Sequence, residues 1–342
     1  MILILLFTFF TFLMISLFPP EDRMVKNAMF ICLGLILIFI AGFRGEGVDR
    51  DYNNYVEMFH QREFIVMEPS FVAISMVIET VFGDNPLFLF LIFAILGVSI
   101  KLIAIKKLTS LWFLSVLVYL SNFFILHEMT QIRAGIASSF LLLCIKPIYD
   151  RNLKLFLLFA MLGLSFHYSA LVILPLWFLG NEPRKKWMFF SMPFVYLIYF
   201  SGINLIGIIP IPGVQEKIQM YQKLQEIGDQ ESTAINVFNL VFLSKTAIFY
   251  FLLFKYDLIL YYNKYFTILM KIYCIALMVY PLLSSVPAIA VRINELYAIV
   301  DIILIPLLYY AFKPIYFSRM IVISIGFTLL LVVLFYVKLI TN

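Results

Sequence analysis

The chain has 342 residues, of which 63% are hydrophobic and 13% charged, with a mean hydropathy of +1.01; no aqueous fold hides that much apolar surface, so a soluble globular protein is excluded. The formal net charge of +5 would suggest nucleic acid as the partner of a soluble protein. Here the basic residues gather in short segments between apolar runs, where they report membrane topology, and no nucleic acid is expected. The expected fold class is an all-α integral membrane protein. It is read as one polytopic domain over residues 1–342, a bundle of about eleven to twelve transmembrane helices with short interfacial helices facing outward.

The first apolar run, 2–18, has no basic residue before it and no small-residue cleavage site after it, because Phe18, Pro19 and Pro20 follow; it is expected to stay as a helix. Further spans are predicted over 28–43, 86–105, 108–126, 131–146, 153–166, 168–179, 187–201, 234–254, 266–284, 290–311 and 320–339. Five basic groups separate them: Lys101, Lys106 and Lys107; Lys146, Arg151 and Lys154; Arg184, Lys185 and Lys186; Lys255 and Lys264; Lys313 and Arg319. These belong to cytoplasmic loops, which turns the remaining loops outward. Between Lys154 and Arg184 the chain is short for two passes, and a thin hairpin turning at His167 is preferred to one long tilted helix. Segment 69–82, with Glu79, reads as a re-entrant or interfacial helix.

The longer outward loops are then 44–67 and 202–233. In the second, Val214, Ile218, Tyr221 and Leu224 recur at helical spacing opposite Gln215, Glu216, Lys217, Gln222 and Lys223, which describes an amphipathic helix lying on the membrane. It serves either as a lid over a lipid-linked substrate or as a plain connection. Cys32, Cys144 and Cys274 each sit inside an apolar run at unrelated spacings and read as inert thiols.

Ionisable groups are costly in hydrocarbon, so those at the spans mark function first. Four groups fall on the outward side. In the stretch 42–55, Gly42, Gly45 and Gly47 free the backbone to turn while Arg44, Glu46, Asp49 and Asp51 supply charge at the membrane exit. Asp49-Arg50-Asp51 has the Asp-x-Asp pattern that holds a divalent cation on a sugar diphosphate, but a solvated acidic turn is the plainer reading and no metal is assigned. In the second group, running from His127 and Glu128 to Arg133, Gln131 and Arg133 open a helix. Its free N–H groups and a guanidinium fork suit phosphate oxygens, with an arginine snorkelling to headgroups as the competing reading. The third, Ser165-Phe166-His167-Tyr168-Ser169, places a proton acceptor between two apolar runs, and Ser169 can orient the ring or a sugar hydroxyl; a hydrogen-bonded structural histidine competes. In the fourth, Arg292 and Glu295 lie one helical turn apart on a late span, as a second phosphate clamp opposite Arg133 or as a simple pair. Asp301, further along, suits an intramembrane pairing role. No nucleotide-binding loop, zinc-ligand cluster or serine-hydrolase elbow is present, and no cofactor is expected.

Taken in order, Arg44 with Gly-Val-Asp-Arg-Asp51-Tyr52 and Tyr55, then Gln131-Ile-Arg133, His167-Tyr-Ser169, and Arg292 with Glu295 and Tyr297 resemble the EpsG family, which belongs with Wzy-type polysaccharide polymerases. The likeness covers most of the chain, from about Ala28 to Tyr310. It implies a GT-C-like glycosyltransferase of the bacterial inner membrane that moves a growing glycan from undecaprenyl diphosphate onto a lipid-linked repeat unit at the periplasmic face. Its partners would be undecaprenyl-diphosphate-linked oligosaccharides, membrane lipid and a chain-length regulator. The catalytic set implied is His167, Arg133, Arg292 and Asp51; substrate binding would fall to Arg44, Asp49, Tyr52, Gln131, Ser169, Glu295 and Tyr297, with no metal. Both Asp49 and Asp51 are open for the family's aspartate position. An O-antigen ligase, a membrane acyltransferase and a lipid-linked oligosaccharide transporter are the alternatives. A transporter would be expected to line the bilayer midplane with charge, whereas here charge gathers at one face.

Overall fold

The computed structural model describes residues 1–62, 67–203 and 235–340. It divides into two compact units, Met1–Trp177 with Asp301–Asn342, and Phe178–Val300. Among the described residues the regular structure is helical and no strand forms; one isolated antiparallel bridge joins Asp49 to Ile340. Four of these helices are long and apolar enough to cross a membrane, five if a bent pair is counted as one span, with shorter apolar helices of 10–17 residues beside them. The protein is an all-α polytopic membrane protein. The amphipathic segment expected around 214–224 lies outside the described residues.

The first unit opens with α1 (Ile2–Leu17), α2 (Arg23–Gly42), α3 (Tyr52–His60), α4 (Pro69–Phe82), α5 (Leu87–Leu108) and α6 (Trp112–Ser121). A π-helical turn (Phe124–Thr130), α7 (Ile132–Asp150), α8 (Leu153–Phe166) and a 3-10 helix (Tyr168–Phe178) follow. The second unit holds α9 (Lys185–Phe200), α10 (Leu240–Phe254), α11 (Tyr256–Tyr262), α12 (Phe266–Leu282) and α13 (Pro287–Ala298). In it α12 packs on α9 and α13, and the Tyr256 and Thr267 hydroxyls lie 2.6 Å apart. The chain then returns to the first unit with α14 (Asp301–Leu307) and α15 (Ile315–Leu331).

Helix α2 starts where the Asp22 carboxylate accepts the Val25 N–H at 2.8 Å, an N-cap that satisfies one free donor. It runs antiparallel to α5. Gly42 meets Leu91 at one end, Gly34 meets Leu102 further along, and Lys106 Nζ reaches Asn27 Oδ1 at 2.7 Å at the other end. A Cβ on Gly34 would lie 2.4 Å from the tip of Leu102, so the small residue lets the two helices close. Because the chain leaves α2 and enters α5 at the same end, α3 and α4 make no net crossing. The 14 residues of α4 reach only about 21 Å.

The hairpin at His167 is real. Arg151, in the left-handed region at φ 56, ends α7, and Asn152 Oδ1 caps α8 by accepting the Leu155 N–H at 3.1 Å. Helix α8 stops at an extended His167, and the 3-10 helix comes back along it. Arg151 Nη1 donates to the Trp177 carbonyl at 2.8 Å, and the Phe156 and Trp177 rings lie 5.3 Å apart. Two passes fit the short segment because the second is not an α-helix. Eleven residues of 3-10 helix at roughly 2.0 Å each match 14 residues of α-helix at roughly 1.5 Å each.

Three expectations are corrected, the first being the span predicted over 290–311, which breaks at Ile299 and Val300 into α13 and α14. The span predicted over 108–126 is not one helix: it bends by 61° between Trp112–Ser121 and Phe124–Thr130. Lys101, grouped by sequence with Lys106 and Lys107 in a cytoplasmic loop, lies instead within α5 and is 0% exposed. Its Nζ donates to Glu128 Oε1 at 2.6 Å, to the Gly135 carbonyl at 2.7 Å and to Ser139 Oγ at 2.8 Å. An ammonium with three acceptors is satisfied without water, so its charge says nothing about which side a loop occupies.

Gly97 faces this pair, and a Cβ there would lie 1.9 Å from Glu128 Oε2. Gly97→Ala is expected to push the carboxylate off Lys101 and destabilise the protein by about 3 to 5 kcal/mol, as breaking a buried pair does. A melting temperature in detergent equal to that of the wild type would refute this.

Candidate active site

Two of the four sequence groups and part of a third meet in the first unit, at the end where α2 finishes and α5 begins. Arg44, just beyond α2, is only 3% exposed. Its Nε donates to Asp49 Oδ2 at 2.7 Å, and its Nη1 to the Ala41 carbonyl at 2.7 Å and the Glu128 carbonyl at 3.4 Å. The guanidinium lies 4.2 Å over the Phe90 ring, on which Tyr52 also stacks with centroids 4.6 Å apart. A turn through Gly47, at φ 74, brings Asp49 back to Arg44. The second oxygen of Asp49 accepts the Asp51 amide at 3.0 Å. Asp49 is therefore the residue that holds Arg44, while Asp51 stands at the start of α3, its side chain making no capping hydrogen bond.

Helix α3 carries the cluster onward. The Arg133 guanidinium, on the first turn of α7, sits 5.8 Å from the Tyr55 ring centre and 5.7 Å from that of Phe71. Arg133 Nη1 is ion-paired with Glu68 Oε2. Glu68 Oε1 lies 2.7 Å from His167 Nδ1 and 3.5 Å from the Tyr168 amide. A single buried carboxylate thus ties the expected phosphate ligand to the expected base. Two further bonds fasten the pieces: the Tyr168 hydroxyl donates to the Met67 carbonyl at 3.3 Å, and Ser70 Oγ to Ser165 Oγ at 2.8 Å.

Glu68 was not singled out in the sequence. It stands at the N-cap of α4, its side chain making no capping hydrogen bond, immediately before Pro69 in the first helical position, where proline is favoured. Burial raises its pKa, but the hydrogen bond to His167 and the charge of Arg133 outweigh burial and hold it at about 2. An ionised carboxylate only accepts hydrogen bonds, so His167 Nδ1 carries a proton toward Glu68 and Nε2 is the ring nitrogen turned away from it.

The other expected residues lie elsewhere or at the margin. His127 is buried with Nδ1 3.1 Å from Ser138 Oγ, and Glu128 faces Lys101, so neither side chain enters the cluster. Gln131 precedes α7, with its carbonyl accepting the Gly135 N–H at 2.8 Å. Ser169 is half-buried on the first turn of the 3-10 helix that follows His167. Arg292, Glu295 and Tyr297 all belong to α13 of the second unit, where Arg292 is exposed and Tyr297 buried. Next to them Asn294 Nδ2 donates to the Ala276 carbonyl at 2.7 Å.

A family model described as the EpsG family matches residues 27–342. The chain belongs to the EpsG family. The EpsG match takes in every residue of the cluster from Arg44 to His167, and Arg292 as well. The chain is also similar to the amylovoran biosynthesis protein AmsC of Erwinia amylovora, 27% identical over 220 residues that cover 60% of this chain and 57% of that protein. It therefore aligns with little more than half the length of that curated relative. No solved structure matches.

Proposed function

We propose that this EpsG-family protein is a membrane glycosyltransferase that polymerises exopolysaccharide, joining oligosaccharide repeat units carried on undecaprenyl diphosphate at the outward face of the bacterial inner membrane. The observation that carries the reading is the Glu68 bridge between Arg133 and His167. Similarity to an amylovoran biosynthesis protein supports the product class. The position of the cluster, at the end of α2 and α5 away from Lys106, supports the outward side.

In this reading a sugar hydroxyl of the incoming repeat unit attacks the anomeric carbon of the donor glycan. The new glycosidic C–O bond forms as the bond from that carbon to the diphosphate oxygen breaks. His167 Nε2 takes the hydroxyl proton, and Arg133 stabilises the charge that develops on the departing undecaprenyl diphosphate. Arg44, fixed by Asp49 and flanked by Tyr52, shapes the acceptor side, and Asp51 at the start of α3 borders it. The role expected of Arg292 is a separate proposal on the second unit and is tested by the same assay.

The test is the surface and released polysaccharide of a deletion strain, compared on a gel with the strain complemented by wild type and by His167→Ala. Single repeat units in place of a ladder, with the ladder restored only by wild type, are expected. Long polymer accumulating on undecaprenyl diphosphate without reaching its acceptor would favour a ligase, and an unchanged ladder on deletion would refute the reading.

A further inference from the structure

Behind the cluster lies a second polar network that the proposed chemistry does not use. Lys101 and Glu128 are 0% and 1% exposed. Glu128 Oε1 accepts from Lys101 Nζ at 2.6 Å and from the Tyr119 hydroxyl at 2.8 Å, while Lys101 also donates to Gly135 O and Ser139 Oγ on α7. One ion pair therefore joins α5, α6, the π-helical turn and α7. The fit has no slack: a Cβ on Gly97 would meet Glu128 Oε2 at 1.9 Å, and one on Gly135 would meet the His127 carbonyl at 2.5 Å. Both arginines of the cluster hang on these same groups. Arg44 Nη1 reaches the Glu128 carbonyl, and Arg133 lies two residues before Gly135 on the same first turns of α7.

A buried ion pair is a poor way to gain stability, because an apolar pair of similar volume usually holds helices as well or better. What it supplies is direction, since hydrogen bonds to fixed acceptors allow one arrangement of the helices where apolar packing allows several. π-helical turns also concentrate at functional sites. We propose that Lys101 and Glu128 are positioning residues, pinning the π-helical turn so that Arg133 is aimed at the departing lipid diphosphate and Arg44 at the acceptor side.

This rests on the polymerase reading, and the experiment separates the two. The double variant Lys101→Met with Glu128→Gln removes both charges, the glutamine isosteric with the glutamate and the methionine one heavy atom shorter than the lysine. It is expected to melt no lower than wild type in detergent and to raise KM for the undecaprenyl-diphosphate-linked donor by about tenfold or more. A purely structural role lowers only the folded fraction, which reduces apparent kcat and leaves KM alone; that result would overturn the proposal. Should the double variant fail to fold, Tyr119→Phe removes one hydrogen bond to Glu128 and leaves the pair intact. It is expected to raise the same KM about threefold, and an unchanged KM would count against the proposal. If wild type forms no polymer, the polymerase reading falls on its own. Binding of undecaprenyl diphosphate to the purified variants then decides: a Kd weakened about tenfold in the double variant supports positioning, and a Kd equal to wild type, or no binding by wild type, overturns it.

Discussion

Replacing Arg133 by alanine is expected to slow repeat-unit joining by about 10² to 10³-fold, the loss typical of removing one preorganised donor to developing charge. The substitution has a second effect, because Glu68 is buried and would lose its guanidinium partner, keeping His167 and the Tyr168 amide. Part of any loss could then be structural. Arg133→Lys separates the effects: it keeps a positive charge beside Glu68 but loses the planar fork that matches phosphate oxygens. The lysine variant is expected to melt close to wild type and still to lose about tenfold or more in rate. Rates with lipid-linked repeat units in nanodiscs, paired with melting temperatures, decide the matter. Two variants that fold and turn over at the wild-type rate would remove Arg133 from the mechanism.

Glu68→Gln is expected to cost about 10² to 10⁴-fold, comparable to losing the base itself. The amide is nearly isosteric, yet it can offer an N–H to His167 Nδ1 and so turn the ring tautomer the wrong way, with the proton on Nε2. The pH dependence of stability gives a separate check. Glu68 is held at about 2, below the ordinary 4.5, so its contribution is fully present above the unfolded value and is lost as pH falls through the folded one. The gap in melting temperature between wild type and Glu68→Gln should be open at about pH 5 and close as the pH drops from about 4 toward 2. A gap that closed near neutrality would mean that the carboxylate is not paired as described.

Arg44, Asp49, Tyr52, Arg133 and His167 were legible in the sequence because the basic-loop rule assigned them a side before any contact was known. Arginines away from the basic loops are uncommon enough to notice. The helical fold was legible for the same reason that makes membrane helices readable at all, since backbone groups in lipid must be paired within the segment. Glu68 was not legible, because its meaning lies in partners 65 and 99 residues away and its own neighbourhood reads as a loop end. Lys101 was misread because a hydropathy window sees a lysine near Lys106 and Lys107 and cannot see Glu128, 27 residues on, waiting in the same layer. The break in 108–126 shares that cause, since nothing local in that stretch announces a 61° bend.

The short hairpin that carries His167 bears on chemical fidelity. Legs of 14 and 11 residues reach about 21 to 22 Å, while the hydrocarbon layer is about 30 Å thick. A bilayer thinned around the hairpin, or a turn that stops beneath the headgroups, would on the proposed reading leave the histidine in a recess instead of on an open surface. On the proposed reading, water and a sugar hydroxyl compete for the same anomeric carbon. A base set below the surface favours the hydroxyl, because a glycan tethered to a lipid is delivered at that depth and bulk water is not.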